Sequence, residues 1–205
     1  FRMATSVSST ASDEARTRFF RLTLIIIDEL TQILRDLLHD EVSPTHILNR
    51  VIRISHLNRT LRKDQIAVLS DAKTRGYQDF DITLLYTLLR NVCQNIKPPS
   101  QRWGMLTMPS RNEVTVGDDI ERIRLIRNKI FGHISQASIS ETKFQKYWSI
   151  ISDICTRMQT LLNINFVKKL QDAEGSSIDS NTENKYIELI KRLTKEDKPD
   201  RGKYI

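Results

Sequence analysis

Cysteine is scarce in this chain: 205 residues hold two, Cys93 and Cys155. Each sits inside an apolar helical pattern, which fits buried reduced thiols of a cytosolic protein and argues against the disulfide framework of a small secreted domain. The histidines His39, His46, His56 and His133 are scattered over different segments, so no cluster has zinc spacing. Long apolar runs are missing too. The most apolar stretch, Leu22 to Ile27, is short and runs into Asp28, Glu29, Arg35 and Asp36, so no membrane span is expected. Nothing reads as a signal peptide, and a cytoplasmic location is expected. The chain also lacks a glycine-rich phosphate loop, a Walker sequence, a Ser-His-Asp set and any internal repeat, which withdraws support from most enzyme classes.

What is present is helical periodicity. The apolar content of 39% is enough to bury a sizeable core. The net charge of +7, from 32 basic and 25 acidic residues, permits nucleic acid or acidic partners without demonstrating them. Residues 1–13, rich in Ser, Thr and Ala, read as a disordered leader. Apolar residues then recur at three- and four-residue steps from Glu14 to about His39, predicting a long amphipathic helix. Ser43 and Pro44 introduce a second helix over Thr45 to Leu57, with Ile52 and Ile54 inward, and a third covers Arg62 to Ala72. Beside it, Arg59, Arg62 and Lys63 read as solvated helix-end charge or as phosphate contacts.

Asp79 and Asp81 precede a fourth helix, apolar nearly all round from Ile82 to Ile96 and therefore central. Pro98-Pro99 opens a loop of Ser100 to Gly117, which is long for a compact domain. Its Trp103 reads as an anchor pinning the loop to the core, with base stacking as the alternative. Ser138 and Glu141 predict a capping box for a helix from Ile139 to Phe166. Residues 14–167 would form the domain. Residues 168–205 read as a polar linker with one short helix over Tyr186 to Leu193.

The most informative stretch is Asp118 to Ile134, D-D-I-E-R-I-R-L-I-R-N-K-I-F-G-H-I. Ile120, Ile123, Ile126, Ile130, Phe131 and Ile134 form one stripe, with Asp118 and Glu121 as a capping box at its start and Gly132 near its end. Arg127 points into the middle of that stripe, where a charge needs a partner. His133, six residues on, falls roughly 120° around and about 9 Å along the axis. From spacing alone the favoured reading is structural, with Arg127 a buried ion-pair arginine and His133 a histidine at a helix C-terminus.

Arg127, Asn128 and His133 in the order R-N-x-x-x-x-H resemble the motif of the HEPN superfamily (higher eukaryotes and prokaryotes nucleotide-binding). Together with F-D-I-T-L-L-Y-T-L-L-R-N at Phe80 to Asn91, E-R-I-R-L-I-R-N-K-I-F-G-H is similar to the branch named after DAZ-interacting zinc finger protein 3. The resemblance implies an all-α fold, an up-and-down antiparallel bundle of about five to six helices. It further implies a homodimer whose motifs meet in a composite cleft, and metal-independent cleavage of RNA, expected to be single-stranded, with no cofactor. In that reading Arg127 holds the scissile phosphate, His133 is general base or acid, and Asn128 orients one of them or the ribose. Asp81, facing Arg127, would fix the guanidinium, while Arg122, Arg124 and Lys129 would extend a backbone track. HEPN-like domains also include inactive dimerisation or interaction modules of multidomain proteins, some with innate-immunity signalling modules, so that role is the alternative.

Overall fold

In a computed structural model the chain is described over residues 4–175 and 178–196, and these form helices joined by turns, with no strand among them. The all-α class expected from the sequence is borne out. Among the described residues no helix is long and apolar enough to cross a membrane. The chain falls into two compact units, residues 1–29 with 126–205, and residues 30–125.

The first unit is built on α1 (Ala4–Leu24), which packs against α8 (Glu141–Leu162), α9 (Phe166–Gly175) and α10 (Ser180–Glu196). Phe19, Phe20, Leu22, Ile25 and Ile26 are wholly or almost wholly buried, as are Ile151, Ile154, Cys155, Met158, Phe166 and Ile190. Polar contacts fix the helices at their rims. Arg16 donates to Glu183 at 2.7 Å and lies over the Phe20 ring at 5.1 Å. The Tyr186 hydroxyl donates to Asp28 at 2.5 Å. Burial and that bond to an acid push the Tyr186 phenol well above its ordinary range.

Several expectations shift here. α1 already begins at Ala4, inside the stretch read as a disordered leader. The cap of α8 is Ser140, whose hydroxyl accepts from the Lys143 amide, two residues beyond the predicted box at Ser138. Asn163 ends α8 in the left-handed conformation, φ 55°, a stop signal that the apolar pattern running to Phe166 conceals. The stretch read as linker instead carries α9 and α10, because Phe166 and Leu170, and Tyr186 and Ile190, each four apart, supply a buried stripe to otherwise polar helices.

In the second unit α2 (Thr31–Glu41) packs on α6 (Ile82–Val92), and α3 (Ile47–Arg53) packs on α4 (Ser55–Thr60) and α5 (Lys63–Arg75). Ile33, Leu34, Leu37 and Leu38 of α2 and Leu84, Leu85, Leu88 and Leu89 of α6 make the core. A π-helical turn, Ile25–Leu30, joins α1 to α2 in the run expected as one regular helix. The single helix expected over Thr45 to Leu57 is broken at Ile54, which is extended at φ −96° and ψ 90°; the break turns Ile52 outward, 51% exposed. Gly76 closes α5 at φ 63°, a conformation that suits glycine.

Candidate functional site

The helix that carries the motif, α7 (Val116–Phe131), begins one turn earlier than the cap at Asp118 would place it. Thr115 is the cap: its hydroxyl accepts from the Asp118 amide at 3.1 Å while the Asp118 carboxylate accepts from the Thr115 amide at 2.9 Å. This is the reciprocal box that the sequence places three residues too late, with Asp118 as its acidic member. Gly117 is demanded by close approach, since a Cβ there would stand 2.3 Å from the Pro99 nitrogen.

The first three turns of α7 spend their charges on the preceding loop. Asp118 accepts from the Ser100 amide and hydroxyl at 2.8 and 2.7 Å. Burial alone would raise its carboxyl, but these bonds and those from Thr115 outweigh it and hold Asp118 below the usual carboxylate range. Glu121 accepts from the Gly104 amide at 2.7 Å and the Tyr86 hydroxyl at 2.6 Å. Burial, reinforced by that bond to Glu121, pushes the Tyr86 phenol up to about 12. Arg122 pairs with Asp119 at 2.7 Å and donates to the Ser110 and Glu113 carbonyls at 2.6 and 2.5 Å. Arg124 pairs with Glu121 at 2.6 Å, donates to the Met105 carbonyl at 2.5 Å and lies 5.3 Å over the Tyr86 ring.

Arg122 and Arg124 therefore do not form the exposed backbone track expected of them. They are the pins of an ordered loop, and the acid three residues before each explains why: Asp119 and Glu121 complete ion pairs one turn away. Trp103 meets Tyr86 edge to face at 5.8 Å, the anchoring arrangement.

Arg127 is placed differently. The residues three and four away on its helix are Ile123, Arg124, Ile130 and Phe131, so no acid lies within one turn. Its side chain is 8% exposed; one Nη donates to the Asn128 carbonyl oxygen at 3.0 Å, and the guanidinium lies 4.9 Å over the Phe131 ring. Phe131, read from sequence as core alone, thus also carries the arginine, a double duty that its four-residue spacing from Arg127 makes available.

The helix stops at Phe131, so His133 stands on a turn and the helical angle drawn to it from Arg127 does not apply. Gly132 and the residues after it re-form that turn: the His133 carbonyl accepts from the Gln136 and Ala137 amides at 3.0 and 2.9 Å. Ala137 pays for this with φ 46°, an unfavourable conformation for a residue with a Cβ, and is held there by burial at 7% exposure. The His133 imidazole is half-buried and makes no hydrogen bond among the described residues. Lys129 is exposed. Asp81 caps α6 by accepting from the Leu84 amide at 2.7 Å, and its place opposite Arg127 rests on the resemblance alone.

A family model described as DZIP3/hRUL138-like HEPN matches residues 36–186. The chain belongs to this HEPN family. The human E3 ubiquitin-protein ligase DZIP3 is 26% identical across 85% of the chain, which spans 16% of that relative's length. No solved structure matches. The matched span takes in the motif helix and continues through α8 and α9 into the first turns of α10.

Proposed function

We propose that this HEPN domain is a metal-independent endoribonuclease that works as a homodimer. The observation that carries the reading is the pairing of a preset arginine with an uncommitted imidazole. Asn128 and Phe131 hold the Arg127 guanidinium in one orientation, and His133 follows on an ordered turn without a hydrogen-bonding partner among the described residues. Arginine gives a permanent charge with forked donors for a phosphate, and histidine moves protons near neutral pH.

The chemistry these residues support is transesterification. A ribose 2′-hydroxyl loses its proton to one imidazole and attacks the adjacent phosphorus. The charge gathering on the phosphoryl oxygens is met by Arg127, and a second imidazole protonates the departing 5′-oxygen. The products are a 2′,3′-cyclic phosphate and a 5′-hydroxyl. One chain supplies one such imidazole, so the reaction calls for a second copy to bring its own His133 and Arg127. Asp81 would steady a guanidinium in that assembly.

A specific observation favours a second reading. At 8% exposure Arg127 is more enclosed than a phosphate ligand usually is, which suits a non-catalytic dimerisation or interaction module within a larger, ligase-like protein such as the relative.

The readings separate on RNA incubated with EDTA. The ribonuclease reading predicts cutting that requires the 2′-hydroxyl, fails on the all-deoxy strand, and falls by about 100-fold or more in His133→Ala. A wild-type dimer that leaves RNA whole leaves only the module.

A further inference from the structure

Between Glu41 and Asp64 the chain carries no acidic residue, yet it holds Arg50, Arg53, Arg59, Arg62 and Lys63. Of these Arg62 pairs with Asp64 at 2.9 Å, as Arg75 pairs with Asp79 and Arg122 with Asp119 elsewhere in the same unit. Arg50, Arg53 and Arg59 form no salt bridge among the described residues, and all three are exposed. Arg50 does come within electrostatic reach of the Tyr77 phenol and the Cys93 thiol, both of which burial keeps protonated.

Each of the two short helices turns its arginines outward. On α3 the buried residues are Ile47 and Val51, which puts Asn49 and Arg53 on the far side with Arg50 beside them. On α4 the buried residue is Leu57, and Arg59 falls opposite it, with exposed Asn58 and His56 alongside. The break at Ile54 is what lets two short helices, rather than one, show their basic sides, and the same break leaves Ile52 in the open. The stretch contains no Phe, Tyr or Trp.

We infer that the outer side of α3 and α4 is a docking surface for the phosphate backbone of RNA, separate in sequence from the Arg127 and His133 motif. This rests on the reading of the domain as one that handles RNA. Arginine forks match phosphate oxygens, asparagines donate to phosphate or the 2′-hydroxyl, and the lack of aromatic platforms makes the contact one of charge and shape without base stacking. Affinity here is therefore steep in salt and indifferent to sequence.

The test measures binding of a fluorescein-labelled, mixed-sequence single-stranded RNA across a salt series, in the His133→Ala chain so that the probe stays whole. Substituting Arg50→Gln, Arg53→Gln and Arg59→Gln together should weaken binding about tenfold or more at physiological salt and flatten the log–log salt slope by about 2. A control with the same charge change, Lys73→Gln, Lys143→Gln and Lys146→Gln, should do clearly less. Equal losses in the two triple variants overturn the proposal, as does unchanged binding in the arginine variant. So does a surface whose arginines are needed for polyglutamate but not for RNA. Cutting is scored separately on the chain with His133 intact. If RNA binds through the arginines and is never cut, the docking surface stands and the ribonuclease reading falls. If cutting depends on Arg127 and His133 while the arginine variant binds like its parent, the reverse holds.

Discussion

The two ends of α7 carry the same residue types to different ends. In its first turns Arg122 and Arg124 each have an acid three residues back, and both are absorbed into pairs that staple the 100–115 loop to the helix. In its last turn Arg127 has isoleucine, arginine and phenylalanine at those spacings, and it rests on the Asn128 amide and the Phe131 ring. An acid three residues back along the helix, not burial, separates them: Arg122 at 4% and Arg127 at 8% exposure are almost equally enclosed. A buried arginine beside its own acid is a fastener. Arg127 sits instead against a neutral amide and an aromatic face.

That contrast can be broken from the structural side first. Asp119 is 1% exposed and faces Arg122, so Asp119→Ala strands a buried guanidinium against two carbonyls. It should cost about 3–5 kcal/mol in urea unfolding and loosen the loop to proteolysis. A cost near zero would mean the pair is ornamental and the division of α7 is false.

A smaller effect sharpens the same point through pH. Asp118 titrates below its ordinary value of 3.8 in the folded chain, so its contribution is complete above that value and is lost as pH falls through the lower folded one. Asp118→Asn should therefore lower stability at pH 7 by about 1–2 kcal/mol. The gap to wild type should close as both are acidified. A gap that stays constant with pH would show that the carboxylate's charge is irrelevant to the cap.

The helical class, the central place of α6 and the stripe of α7 were legible because apolar spacing reports them directly. Arg127, Asn128 and His133 were legible as a motif, and two residues that Arg127 touches, Asn128 and Phe131, lie one and four residues away, within reach of sequence reasoning. What sequence concealed depends on contacts distant in the chain or on small backbone choices. The roles of Arg122 and Arg124 are set by carbonyls of Ser110, Glu113 and Met105. The extended Ile54, the left-handed Asn163 and the π-helical turn at Ile25–Leu30 leave no mark on apolar periodicity. α9 and α10 hid because two buried residues suffice for a short helix whose other faces are polar.

The most direct measurement compares Arg127→Gln with Arg124→Gln, scoring RNA cutting in EDTA per folded molecule alongside the urea midpoint of each. The account predicts that Arg127→Gln loses cutting by about 100-fold or more while staying folded, as removal of a transition-state charge contact does. Arg124→Gln should lower the midpoint and leave the rate per folded molecule near wild type. Equal cutting in Arg127→Gln and wild type, or equal loss in both variants, would contradict the claim that the end of α7, and not its beginning, meets the phosphate.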